Sequence, residues 1–178
     1  SRFKSLRYFG EALPQYLEQD TFFSQFPIIH DLAKFERRLL ATFDAADSST
    51  ATLENLQSIP HSQWPNLKIT FHPSVQLFSC LSNAVEAWQA LKVEQAPPEA
   101  NYNHQQHWLI WRGFSRLTEF TSISQARFRL IDGFILGNTF AEQCEAMLEF
   151  FPEEDVALEI LGAVQAWLDM GIIRSFIF

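Results

Sequence analysis

An apolar, aromatic run in the carboxy-terminal half of the chain is typical of a strand. Residues 107–112, HWLIWR, are rich in aromatic and branched side chains, as expected of a mostly buried strand. Gly113 follows at a place where a turn favours a residue that tolerates positive φ. Residues 116–122 then resume an extended pattern. The pattern therefore predicts a β-hairpin.

Three helical patterns follow the hairpin, and each begins at a residue that favours a helix start. The start residues are Ser124, then Asn138 or Thr139, and then Pro152. The first pattern stops at Gly137 and the third at Gly171, where glycine favours a helix end. A short last strand is expected after Gly171. A hairpin followed by three short helices predicts a winged-helix-like domain, and such domains bind either DNA or a peptide.

The amino-terminal part has helical patterns. Residues 1–20 carry an apolar stripe, which Gly10 and Pro14 divide into two pieces. A stronger helix is predicted from Pro27 to about Asp44. Its expected core positions recur at helical spacing: Ile28, Leu32, Phe35, Leu39 and Phe43.

Extended segments and prolines separate this helical part from the hairpin. Residues 67–80 are rich in β-formers, and Pro73 interrupts them, which predicts two strands or one bent edge strand. A helix over 82–91 and a proline-containing loop then lead to the hairpin. We expect an α+β protein with a helical domain, residues 1–66, and a winged-helix-like domain, residues 67–178.

Composition narrows the possible surroundings and partners. The chain has 178 residues, is 47% hydrophobic and carries a formal net charge of −8. It has no apolar run near the roughly 20 residues of a membrane span, so no membrane partner is expected. Cys80 and Cys144 form neither a disulfide framework nor a metal-binding spacing, which fits a cytoplasmic location. The negative charge disfavours nucleic acid and acidic membranes as partners.

Few residues suggest catalysis or metal binding. His104 and His107 form an H-x-x-H pair, but a metal site needs a third ligand, and none is spaced to join them. Glu36 lies at the margin of an apolar helix face, either as a buried base or as a structural carboxylate. No phosphate loop or nucleophile motif is present. We expect no enzymatic activity, no metal and no cofactor; an enzyme with an unrecognised site is a weaker alternative.

The distribution of charge argues against a DNA-binding surface on the second and third helices of the hairpin domain. Residues 138–170 contain eight acidic side chains and neither lysine nor arginine. A helix that approaches the phosphate backbone needs basic side chains. Four arginines lie nearer the hairpin and the first helix: Arg112, Arg116, Arg127 and Arg129. They suit a solvated basic face or an acidic peptide better than duplex DNA.

Four segments, in this order and spacing, resemble the HvfC/BufC family, whose members often carry a DNA-binding label. The segments are YFGEALPQYL at 8–17, PIIHDLAKFE at 27–36, FHPSVQLF at 71–78 and LIWR at 109–112. Together with a tryptophan-bearing helix between the last two, they extend the resemblance over nearly the whole chain. Family members usually begin with a further helical region, which this sequence is expected to lack.

The resemblance implies a non-catalytic partner of an iron-dependent TIM-barrel enzyme that modifies cysteines in a ribosomally made precursor peptide. The modified peptides of such pathways are linked to copper handling. The carboxy-terminal part resembles a PqqD-like recognition element, in which three strands precede three helices and a leader peptide adds as a further strand. Mapped on this chain, the three strands are residues 74–80, 107–112 and 116–122.

The resemblance and the strand pattern together suggest where a leader peptide binds. An exposed sheet edge offers unpaired N–H and C=O groups to an extended peptide. Arg116, Thr118 and Phe120 alternate along the returning strand, and Glu159 and Gly162 lie on the third helix, with Gly162 facing away from its apolar stripe. These five residues are the predicted peptide site. The predicted function is recognition and delivery of a precursor peptide; the alternative is a DNA-binding transcriptional regulator.

Overall fold

The computed structural model describes residues 10–103 and 105–178 and shows an α+β protein. In chain order its regular elements are α1 (Leu13–Gln19), α2 (Pro27–Phe43), α3 (Leu53–Gln57), β1 (Lys68–Phe71), β2 (Gln76–Cys80), α4 (Ala84–Lys92), β3 (Gln106–Arg112), β4 (Thr118–Ser122), α5 (Gln125–Ile135), α6 (Phe140–Met147), α7 (Glu153–Asp169) and β5 (Ile173–Ile177). Short 3₁₀ turns at Phe23–Gln25 and His61–Asn66 flank the amino-terminal helices. The predicted fold class is therefore confirmed.

Helix α2 matches the predicted helix in length, but one of its predicted core positions is wrong. Pro27 occupies the first turn, where its missing N–H costs nothing. Phe35 is fully buried, whereas Phe43 is 63% exposed. Thr42 is buried in place of Phe43, and its hydroxyl donates to the Ser74 carbonyl oxygen over 3.0 Å. Of the helix predicted over residues 1–20, α1 forms Leu13–Gln19, and residues 1–9 lie outside the described residues.

The strands form two antiparallel sheets within the described residues. One sheet has the order β2-β3-β4, so β3 is central and β2 and β4 are edges. The other pairs β1 with β5, the last strand predicted from the sequence. Pro73 lies between β1 and β2, and the two strands that it separates belong to different sheets. The predicted interruption at Pro73 is confirmed.

Strand β3 is apolar over its buried centre, residues 108–111, where both of its faces are covered. Trp108 and Ile110 pack against α2 and α4, in a cluster built around Phe35. Leu109 and Trp111 point to the opposite face, into a larger cluster that includes α5 and α7. A strand buried on both faces reads as a continuous apolar run instead of an alternating one.

Helix caps in the carboxy-terminal half follow the predicted signals. The Ser124 side chain accepts from the Arg127 N–H and caps α5. Thr139 forms a reciprocal capping box with Glu142 at the start of α6. Gly137 has φ +90° after α5, a left-handed conformation that favours glycine. These local rules fix where α5 ends and α6 begins.

Both apolar clusters draw on residues from either side of the boundary predicted between residues 66 and 67. The larger cluster joins Ala51 and Leu56 with Ile160 and Val164. Its burial ties α3 directly to the carboxy-terminal helices.

Among the described residues, none of the helices combines the length and the hydropathy that a bilayer crossing requires.

Candidate peptide-binding edge

Two backbone hydrogen bonds show which main-chain N–H and C=O groups of β4 face its neighbour β3. At the hairpin end, the Gly113 N–H donates to the Leu117 carbonyl oxygen over 2.9 Å. At the other end, the Ile123 N–H donates to the His107 carbonyl oxygen over 2.9 Å. Hydrogen-bonded and non-hydrogen-bonded residues alternate along an antiparallel pair. Both bonds fall on odd-numbered residues of the returning strand, so its odd-numbered residues bond to β3.

The even-numbered residues of β4 therefore direct their main-chain groups away from the sheet. These residues are Thr118, Phe120 and Ser122, which lie opposite Arg112, Ile110 and Trp108 in the register. Within the described part of the chain, no further strand pairs with this side of β4. The edge thus presents three N–H and three C=O groups in the arrangement that an added strand requires.

The side chain of Phe120 fixes β4 against the helical layer. Its ring centroid lies 5.3 Å from that of Phe35, 5.8 Å from that of Trp88 and 6.0 Å from that of Trp108. These edge-to-face contacts hold a half-buried phenylalanine on the same side as the half-buried Thr118. The Phe120 side chain therefore positions the edge by packing. A peptide contact at Phe120 would be made by its main-chain N–H and C=O groups.

Arg116 does not belong to the strand, contrary to the prediction. The strand begins at Thr118, and Arg116 occupies the hairpin turn with φ +64°. Its N–H donates to the Gly113 carbonyl oxygen over 2.9 Å, so a type I turn is followed by a left-handed residue. The positive φ expected of Gly113 is thus carried by Arg116. Gly113 is buried instead, and the Glu119 carboxylate lies where a Cβ at this position would be.

The two predicted positions on the third helix have different surroundings. Glu159 binds Arg127, whose guanidinium donates to the Glu159 carbonyl oxygen over 2.9 Å and to its carboxylate over 3.3 Å. Because Arg127 lies in the first turn of α5, Glu159 neighbours the segment that follows β4. Gly162 is exposed, and a Cβ there would meet nothing within 4 Å. The outward position predicted for Gly162 is confirmed; a peptide contact at either residue stays a prediction.

An open cavity of about 450 Å³ lies where β4 ends. It is lined by residues of α4, of β3 and of the β4–α5 junction, among them Glu86, His107, Ser122 and Gln125. His107 Nδ1 and Glu86 Oε2 are buried and have no hydrogen-bond partner among the described residues. Burial lowers the pKa of His107, which favours its neutral form. The cavity therefore lies at one end of the open edge, beside two buried polar atoms that lack a partner among the described residues.

A serine and a histidine meet at the corner between β1 and β2, but their bonds serve the fold. The Ser74 hydroxyl lies 2.8 Å from His72 Nδ1, and Ser74 Oγ accepts from the Arg112 N–H over 3.2 Å. Ser74 is 1% exposed, so its oxygen is closed to a substrate. The Ser74 N–H also donates to Nδ1 over 3.2 Å. This network joins the β1–β2 corner to the end of β3.

The other residues considered for chemistry are separate in space or exposed. Glu36 is exposed, so the buried-base interpretation of that residue is wrong. Burial raises the pKa of the Cys80 thiol to about 12, which makes it a poor nucleophile. Among the described residues, no three histidine, cysteine, aspartate or glutamate side chains are grouped to hold a metal ion. His104, the partner of His107 in the H-x-x-H pair, lies outside the described residues.

Sequence patterns did not indicate two features of this edge. Ser122 belongs to the outward set, and only the register with β3 reveals it. The unsatisfied Glu86 comes to the end of β4 from a helix distant in sequence, held by the Gln106 amide that donates to its carboxylate over 2.8 Å. No local signal near the hairpin points to that carboxylate.

No family model matches the chain, and no curated protein matches it.

Proposed function

We propose that this protein binds an extended peptide as an additional strand on the free edge of β4. The observation that supports this function is the set of outward main-chain groups at Thr118, Phe120 and Ser122 on an unpaired edge. An extended peptide satisfies such groups with its own backbone, and alternate side chains then supply selectivity. The aromatic packing of Phe120 keeps the edge rigid before the peptide arrives, which reduces the entropic cost of binding.

The occupant that we propose is the leader of a ribosomally made precursor peptide. The resemblance to the HvfC/BufC family suggests this class of ligand. The elements from β2 to α7 are compatible with a recognition element of that kind, because three strands precede three helices, with α4 inserted after the first strand. The cavity beside Ser122 would accept a side chain of the peptide, because it lies at the end of the open edge.

In this proposal the protein is a non-catalytic partner that presents the peptide to an iron-dependent TIM-barrel enzyme. The chemistry of the described residues supports a binding role. Ser74 is buried within a structural network, and the Cys80 thiol is held protonated by its surroundings. The metal chemistry then belongs to the partner enzyme.

Amide hydrogen exchange followed residue by residue tests the proposal directly. In the free protein, the amides of Thr118, Phe120 and Ser122 should exchange quickly, whereas those of Glu119 and Thr121 should be protected by β3. Saturating precursor peptide should slow the first set and leave the second set unchanged. Binding without new protection at the even-numbered residues would place the peptide elsewhere.

A DNA-binding role is the second candidate, because a hairpin and three helices also form winged-helix DNA readers. Two of the four arginines near the hairpin are engaged within the protein: Arg112 binds carbonyl oxygens and Asp47, and Arg127 binds Glu159. The acid-only stretch lies on α6 and α7. We expect no duplex binding in a gel-shift titration at physiological salt, and micromolar binding with a steep salt dependence would favour the regulator instead.

A further inference from the structure

The sheet has a second open edge, at β2, whose outward groups follow from the same alternation. The odd-numbered residues of β3 bond to β4, so its even-numbered residues bond to β2. Phe78 lies opposite Trp108 in the register and is therefore paired. Leu77 and Ser79 direct their N–H and C=O groups away from the sheet. Within the described part of the chain, no other strand pairs with this side of β2.

A groove with a volume of about 400 Å³ lies along this edge and is predominantly basic. Leu77 and Ser79 line its floor, and Lys34, Arg37 and Arg38 of α2 line one wall. Among the residues that the structure describes, Glu11 is the one acidic residue that lines it. Arg38 is fixed beside the strand, because its Nη1 donates to the Gln76 side-chain oxygen over 3.0 Å. In a protein with a net charge of −8, this local concentration of positive charge is opposite to the overall sign.

We propose that the β2 groove is a second docking site and that its occupant is an acidic, extended segment of a partner protein. The backbone of the segment would pair with the main-chain groups of Leu77 and Ser79. Acidic side chains on one face of the segment would then meet Lys34 and Arg38, which are four residues apart and lie on one side of α2. The strand edge supplies main-chain pairing, and the helix selects charge.

A second copy of this chain fits the groove less well. Two β2 edges paired about a twofold axis would bring the basic walls of both copies together, and like charges in register oppose association. The site is also independent of the function proposed for β4, because the two edges lie on opposite sides of β3.

The experiment uses the full chain and a fluorescent, end-blocked peptide of about nine residues, a typical strand length, in which glutamate alternates with valine or threonine. We expect binding that weakens with added salt. The double change Lys34→Glu with Arg38→Glu should weaken it at least ~tenfold, which is ~1.4 kcal/mol. A peptide with lysine in place of glutamate, and one with proline at alternate positions, should not bind.

Strand-edge variants test the backbone part of the proposal. Ser79→Pro removes an outward donor and should abolish peptide binding with the circular dichroism unchanged, whereas Ser79→Ala should bind like the parent. Thr118→Pro, on the other edge, should also bind this peptide like the parent, so failure at β4 and failure at β2 are separable. The proposal is overturned if the acidic peptide does not bind, if charge reversal leaves binding intact, if Ser79→Pro unfolds the protein or binds normally, or if sedimentation shows that the groove is closed by a β2-mediated dimer.

Discussion

Replacement of Thr118 by proline is the most direct perturbation of the β4 edge. Thr118 lies opposite Arg112 in a non-hydrogen-bonded pair, so its N–H points away from β3. Proline there removes an outward donor and leaves the bonds between β3 and β4 in place. Proline is tolerated on edge strands in this orientation, since the missing N–H faces solvent. The free protein should therefore keep its fold.

The expected loss of peptide affinity follows from the groups involved. One hydrogen bond contributes ~0.5–1.5 kcal/mol net, and the proline ring also hinders close approach of the added strand. We expect a loss of at least ~tenfold, or ~1.4 kcal/mol. Thr118→Ala keeps the backbone donor and removes only a half-buried side chain, so it should cost much less.

Calorimetric titration with the precursor peptide, together with circular dichroism of each variant, measures these effects. Glu119→Pro is the matched control, because the Glu119 N–H faces β3 and its loss should disrupt the hairpin instead of the peptide site alone. Thr118→Pro that binds like the parent refutes strand addition at β4. Thr118→Pro that unfolds shows that its N–H is needed within the sheet, which refutes the deduced edge.

Three further predictions test the surrounding structure. Burial and the nearby Arg112 lower the pKa of His72, so the native state disfavours its protonation. The stability of the parent should be full above the ordinary histidine pKa of ~6.5 and fall as the pH drops below it. Urea titrations of His72→Gln should show a flatter dependence of stability on pH between about pH 7.5 and pH 5.5. Arg112→Lys should cost ~1–3 kcal/mol in urea unfolding, because a lysine cannot reproduce the forked bonds to the Phe43 and Ala45 carbonyl oxygens at the end of α2. Gly133→Ala should destabilise by ~1 kcal/mol or more despite better helix propensity, because the new methyl overlaps the buried Gln143 amide, and the same change should stabilise a Gln143→Ala background in a double-mutant cycle.

The direction of the His72 effect follows from its hydrogen bonds. Nδ1 accepts from the Ser74 N–H over 3.2 Å, so protonation at Nδ1 would set two donors against each other. The neutral ring is thus the form that fits the corner. In the unfolded chain no such bond opposes protonation, and the unfolded state binds more protons as the pH falls. A His72→Gln variant whose stability falls between about pH 7.5 and pH 5.5 as steeply as that of the parent would contradict this account.

Local sequence chemistry predicted the elements well where the signal lies within one turn of chain. Ser124, Thr139 and Gly137 set helix ends through their own side chains or backbone freedom, so their roles could be predicted without knowledge of the tertiary structure. The prediction that Phe43 is a core residue is wrong, because the burial of Phe43 depends on how α2 packs against the sheet. Tertiary packing decides that question, and helical spacing alone does not report it.

The hairpin turn shows why a glycine can be assigned the wrong role. Glycine between two extended runs usually signals positive φ, and the sequence therefore predicts that conformation at Gly113. The loop places the left-handed residue at Arg116, while Gly113 is a buried residue with the Glu119 carboxylate lying against it. The physical cause is a cross-strand contact, which exists only once the register is set.

The register also explains why the open edge could be proposed from sequence but its outward amides could not. Alternation along β4 places Thr118 and Phe120 on one side chain face, yet the direction of the amides depends on how β4 aligns with β3. A shift by one residue would exchange the outward groups of Thr118 for those of Glu119 and turn Phe120 out of its aromatic cluster. The packing of Phe120 against Phe35 and Trp88 opposes that shift. The aromatic cluster on one face of the sheet therefore decides which main-chain groups the edge offers to a peptide.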